Sequence, residues 1–119
     1  MIKIKRAYEA AADDDGYRVL VDRIWPRGIS KEKAVINEWL KEVAPSSELR
    51  KWFNHDPEKY TEFSERYVRE LTDGEHQSAF NRLEQVIREY DPVTLVYGAK
   101  NKEYNQAVVL KERLDRENG

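Results

Sequence analysis

The chain has 119 residues, 39% hydrophobic and 37% charged, and its 21 Lys and Arg stand against 23 Asp and Glu for a net charge of −2. That length is one domain spanning 1–119, too short for an enzyme with separate cofactor and substrate halves, yet able to bury about 60–70% of its unfolded surface in a single core. The acidic balance argues against a general nucleic-acid binder, and the absence of cysteine excludes disulfides, thiolate metal sites and cysteine nucleophiles.

Residues 2–6 read as a strand: Ile2 and Ile4 face one way and Lys3 and Lys5 the other, the period of a strand with one wet face. This start lacks the apolar core of a secretory signal, and no run approaches the ~20 apolar residues of a membrane span. A soluble cytoplasmic protein without membrane association is the simplest expectation. Asp13-Asp14-Asp15-Gly16 is a turn cluster. Residues 17–22 give a second strand centred on Val19-Leu20-Val21, apolar enough for burial on both faces. Residues 23–30 form a loop, in which Pro26 holds Trp25 extended and Gly28 permits a positive φ.

Residues 35–43 are ambiguous. Ile36, Trp39, Leu40 and Val43 have helical spacing, whereas the Trp, Ile and Val content favours a strand. Ser46 or Ser47 can cap a short helix carrying Leu49, Trp52 and Phe53. Asp56-Pro57-Glu58 starts the next helix, with Asp as cap and Pro where no N–H is needed. Its stripe of Tyr60, Phe63, Tyr67 and Leu71 faces a core, leaving Arg66 and Arg69 solvated. Asp73-Gly74 breaks that helix, and another runs over 75–90 until Asp91-Pro92 stops it. Residues 93–97 are a short buried strand, 98–103 a loop, and 104–116 a final helix burying Ala107, Leu110 and Leu114. Helix, buried strand and helix in succession favour an α/β fold: a small domain with a central, largely parallel sheet and helices on both faces.

In open α/β sheets ligands bind outside the carboxyl ends of the strands. Two such ends carry polar residues: Asp22 to Gly28, and Gly98 to Asn101 leading to the helix start near Tyr104 and Asn105. A helix start offers free N–H donors. Arg23, Arg27 and Lys100 beside it suit a pocket for a small anion, since arginine grips carboxylate or phosphate with paired bonds. The same arginines equally suit structural ion pairs with Asp22 or other acids, and Trp25 suits core as well as pocket wall. His55 is the one reasonable proton shuttle. The competing reading has it ending a helix and bonding locally beside Asp56. His76 reads as exposed. No metal site is expected, because the two histidines stand far apart with no His-Glu-x-x-His and no cysteine. No glycine-rich phosphate loop and no Gly-x-Ser-x-Gly elbow is present, so no cofactor is assigned.

The blocks Val21-Asp22-Arg23-Ile24-Trp25-Pro26-Arg27-Gly28, Trp39-Leu40-Lys41-Glu42-Val43-Ala44-Pro45-Ser46 and Leu49-Arg50-Lys51-Trp52-Phe53-Asn54-His55-Asp56-Pro57 together resemble the DUF488 family, YeaO-like branch. Val93-Thr94-Leu95-Val96-Tyr97 and Asn105-Gln106-Ala107-Val108-Val109-Leu110 continue the resemblance over essentially the whole chain. It implies a small α/β domain with a central, largely parallel sheet. In the wider family the last strand is often followed by a loop ending in Cys-His-Arg, loosely similar to the anion-binding loop of cysteine phosphatases. Residues 98–106 stand there in this chain without a thiol, which places cysteine-based phosphoryl or sulfur transfer out of reach. The resemblance also supports a strand over 37–43, aiming Lys41 toward the same sheet end.

The resulting expectation is a pocket for a small anionic ligand. Arg23 and Arg27 hold the anion, Lys41 and Lys100 add charge, Asn105 orients it, and Trp25 forms a wall. His55 moves a proton if the protein is an enzyme. The alternative is a non-enzymatic protein-interaction module in which the arginines are structural and exposed Trp39 or Trp52 anchors a partner. RNA binding through a basic, aromatic-lined face is a weaker third reading. No oligomeric state is assigned.

Overall fold

Four segments become the strands of one parallel sheet: β1 (Ile2–Arg6), β2 (Tyr17–Leu20), β3 (Glu38–Trp39) and β4 (Val93–Tyr97), in the order β1-β4-β2-β3. The computed structural model describes residues 1–118. Ile4 pairs with Leu95 and Leu95 with Val19, so these three side chains share a face. Every residue of β4 is buried, as expected of a central strand covered on both sides. The second strand stops at Leu20, not at 22, and the strand expected over 37–43 is only Glu38–Trp39, followed by a 3₁₀ turn at Lys41–Val43.

The helices are α1 (Lys31–Ala34), α2 (Ser47–Phe53), α3 (Tyr60–Glu70), α4 (Gly74–Glu89) and α5 (Gln106–Asn118). Ser46 caps α2 by accepting from the Leu49 amide at 3.1 Å, and its own amide and hydroxyl donate to Glu70 at the end of α3. Asp56 caps a 3₁₀ turn at Pro57–Lys59 that leads into α3. Asp73-Gly74 leads directly into α4, with Asp73 extended as its cap and Gly74, at φ +51°, its first residue. The final helix begins at Gln106 because Asn105 is spent as its cap, accepting from the Val108 amide at 3.1 Å.

The two faces of the sheet are covered differently. Val19, Val93, Leu95 and Tyr97 pack with Leu49 and Phe53 of α2, Phe63 and Tyr67 of α3, Leu83 and Val86 of α4, and Leu110 and Leu114 of α5. The opposite face has a small cluster, Ala7, Leu20 and Val96, covered by Trp25, Ile29, Ile36 and Trp39 from the loops around α1. Helices on both faces are therefore unequal: four on one side, and loops with a single helical turn on the other.

The wet face expected of β1 is half-buried. Lys5 bonds the buried Asp15 at 3.1 Å, and Lys3 donates to the Asp14 carbonyl. Arg18, 2% exposed, meets Asp15 at 2.6 Å and donates to the Ala34 carbonyl at the end of α1. Glycine is required at position 16, where φ is +66° and a Cβ would fall 2.1 Å from the Pro92 carbonyl oxygen. His76, expected to be exposed, is half-buried, with Nε2 3.8 Å from Glu70 and without a hydrogen-bond partner.

Candidate functional site

The parallel sheet brings the carboxyl ends of its neighbouring strands β2 and β4 side by side, and the chain leaving each end carries polar groups. Asp22 follows β2. Its Oδ2 accepts from the Gly98 amide just past β4 at 2.8 Å, and its Oδ1 accepts from Gln106 Nε2 at the start of α5. The approach depends on Gly98, because a Cβ there would stand 2.8 Å from Oδ2. Burial raises the Asp22 carboxyl to about 6, against the opposing pull of the Gly98 and Gln106 hydrogen bonds and the charge of Arg50. The two segments thus converge on one rim of the sheet.

A cavity of about 490 Å³ opens beside this junction. Its polar lining includes Asp22, Arg23, Arg50, Lys51, His55 and Gln106, and its apolar wall includes Ala44, Pro45, Phe53 and Phe63. The volume lies in the ordinary range for small-molecule pockets, about 300–1,000 Å³. Phe53 and Phe63 stack at 4.2 Å between ring centroids, which fixes the apolar wall between α2 and α3.

Two guanidiniums face this space without a carboxylate partner. Arg23 donates from Nη2 to the Ala44 carbonyl at 3.2 Å, and Arg50 from Nη2 to Ser47 Oγ at 3.2 Å. The Nε of each is buried with no hydrogen-bond partner. Among the described residues neither has an acidic side chain within 4.0 Å. A buried donor without a partner is uncommon and costs its desolvation. The structural ion pair considered for Arg23 and Asp22 does not form.

The other expected residues divide sharply. His55 lines the cavity at its exposed side, carried there by two successive left-handed residues, Asn54 (φ 47°) and His55 (φ 56°), at the end of α2. The Asp56 carboxylate caps the next turn by accepting from the Glu58 amide at 3.0 Å. Asn105 is buried in the wall with its side chain committed to Asn101 and Val108, and its carbonyl accepts from Tyr60. Trp25 lies off the cavity in the small cluster, donating to the Ile29 carbonyl at 2.7 Å and meeting Trp39 edge-on. Arg27 and Lys100 are exposed and off the cavity. Lys41 is exposed with its ammonium 4.3 Å from the Trp39 ring. Arg50 and Gln106 were not singled out from sequence. Helical spacing from Phe53 places Arg50 one turn back on α2, and Gln106 adjoins the expected helix start.

Neither tryptophan forms an exposed patch. Trp39 donates to the Asp22 carbonyl at 2.7 Å, and Trp52 lies half-buried beneath Lys59 and Arg66. Among the described residues no group of His, Cys, Asp or Glu could hold a metal ion, and no helix is long and apolar enough to cross a membrane.

A family model described as the inactive DUF488-N3 subclade matches residues 1–118. The chain is similar to the uncharacterised protein YeaO of Escherichia coli (strain K12), 45% identical over 113 residues that cover 95% of this chain and 96% of that one. It is also similar to the uncharacterised proteins Rv3073c of Mycobacterium tuberculosis (strain ATCC 25618 / H37Rv) and Mb3100c of Mycobacterium bovis (strain ATCC BAA-935 / AF2122/97). Each is 41% identical over 114 residues, covering 96% of this chain and 93% of the relative. No solved structure matches the chain.

Proposed function

The chain belongs to the DUF488 family, in its inactive N3 subclade, and from that premise we propose that it is a binding protein for a small anion, held at the carboxyl ends of β2 and β4 by Arg23 and Arg50. The observation that carries this reading is the pair of guanidiniums lining one cavity with no carboxylate in reach. A carboxylate, sulfate or phosphate oxygen accepts from the guanidinium N–H groups that the Ala44 carbonyl and Ser47 leave open, and charge-assisted bonds to arginine are about twice as strong as neutral ones. The adjoining start of α5 contributes its positive end.

Binding without turnover fits the description of the subclade as inactive and the lack of any cysteine in residues 98–106. His55 is then an exposed residue of the cavity rim. The interaction-module reading draws little support, since its anchors Trp39 and Trp52 are half-buried.

A thermal-shift screen of phosphate, sulfate and small carboxylates tests the proposal. Stabilisation of the wild type is expected by mass action, about 2.7 kcal/mol at a hundredfold excess over Kd. It is expected to be lost in Arg23→Ala and Arg50→Ala and kept in Arg27→Ala and Lys100→Ala, whose side chains are off the cavity. No shift by any anion at millimolar concentration contradicts it.

A further inference from the structure

The cavity holds opposite charges apart. Asp22 is fixed on one side by the Gly98 amide and by Gln106. Arg23 is tied to the Ala44 carbonyl and Arg50 to Ser47. No direct ion pair joins Asp22 to either arginine among the described residues, although the charge of Arg50 is felt at Asp22. Here each is restrained by its own element, so a site results with a cationic part, an anionic part and an apolar wall of Ala44, Pro45, Phe53 and Phe63 between α2 and α3.

A purely anionic ligand answers only half of this arrangement, because an ionised Asp22 repels it. Each Asp22 oxygen accepts one hydrogen bond and keeps a further lone pair. Resting on the anion-pocket reading, we infer that the ligand is bipolar: a small phosphate monoester or carboxylate that also bears an ammonium group. The anionic end takes the guanidiniums of Arg23 and Arg50, and the ammonium donates to Asp22. The same arrangement discriminates, since an amine-free anion leaves Asp22 as an uncompensated repulsive neighbour.

Matched probe pairs test the inference on the whole chain by calorimetric titration at pH 7.5: O-phosphoethanolamine against ethyl phosphate, and 4-aminobutyrate against butyrate. The amine-bearing member of at least one pair is expected to bind the wild type about tenfold or more tightly than its partner, the order of a charge-assisted hydrogen bond. The pair that shows the difference tells phosphate from carboxylate ligands. In Asp22→Asn the difference is expected to collapse, with the amine-free member binding at least as well as before. In Arg50→Ala both members are expected to weaken together. Equal binding of both members to the wild type overturns the inference and leaves the anion pocket standing, as does a preference for the amine that persists in Asp22→Asn. Absence of binding by these probes, by phosphate and by sulfate overturns both. Should Asp22→Asn fail to fold, the comparison of pair members on the wild type decides alone.

Discussion

Burial sets Asp22 apart from the surface carboxylates, and its titration has a definite sign. Its folded-state value is raised from 3.8 to about 6. The group therefore favours folding most below pH about 4, and that contribution is lost as pH rises through about 6. Replacing it with Asn removes the loss. Between pH 4 and 7, Asp22→Asn is expected to gain on the wild type by on the order of 2–3 kcal/mol in urea denaturation. A stability difference that is constant across that range contradicts the assignment. Asp15 behaves in the opposite way. Burial pulls its carboxyl up, but hydrogen bonds from the Ala12 amide, Lys5 and Arg18 together hold it below the usual value. Arg18→Met leaves that buried carboxylate short of its closest cation, and a loss of about 3 kcal/mol is expected by the same denaturation measurement. Neither role is readable from the sequence. Asp15 stands in a run of turn-forming acids, and Lys3 and Lys5 alternate as solvent-facing residues do. The burial of Asp15 goes with Arg18, which neutralises it and closes the carbonyl end of α1 at once.

Short elements depend on their ends, and α2 is the one that carries Arg50 into the cavity. Ser46 both caps α2 and meets Glu70 through its amide and hydroxyl, so the cap ties α2 to the end of α3. Ser46→Ala is expected to cost about 1–2 kcal/mol, read as a lowered thermal midpoint. Gly16→Ala is expected to prevent folding, because the added carbon would overlap the Pro92 carbonyl at the turn into β2. Recovery of a native far-ultraviolet spectrum in that variant contradicts the geometry. Elements with strong local signals were legible: the apolar runs of β2 and β4, the stripe of α3, and the Asp56-Pro57 start. Residues 35–43 were not, since their apolar side chains are shared between a two-residue strand and a 3₁₀ turn that meet opposite faces of the sheet.

The Cα radius of gyration, 13.4 Å, is that of a closed globule of this length. The cavity therefore belongs to a rim of the sheet and is not a split between lobes. Its place was legible from the rule that ligands gather at the carboxyl ends of parallel strands. Its composition was legible only in part. Arg23, His55 and Asn105 come together there, whereas Arg27, Lys41, Lys100 and Trp25 do not. The difference arises because the loop after Trp25 is drawn across the opposite face, where Trp25 and Trp39 cover Leu20 and Val96. Arg50 enters instead through the rotation of α2, a property of tertiary packing rather than of local pattern.

The most direct measurement is a nuclear magnetic resonance titration with phosphate that follows the arginine Nε–H signals. The expected result is saturable movement of the Arg23 and Arg50 signals together with the backbone amides of Gly98 and Gln106, while Arg27 stays still. Movement confined to Arg27 and the Lys100 segment, or none at millimolar phosphate, contradicts an anion site at the ends of β2 and β4.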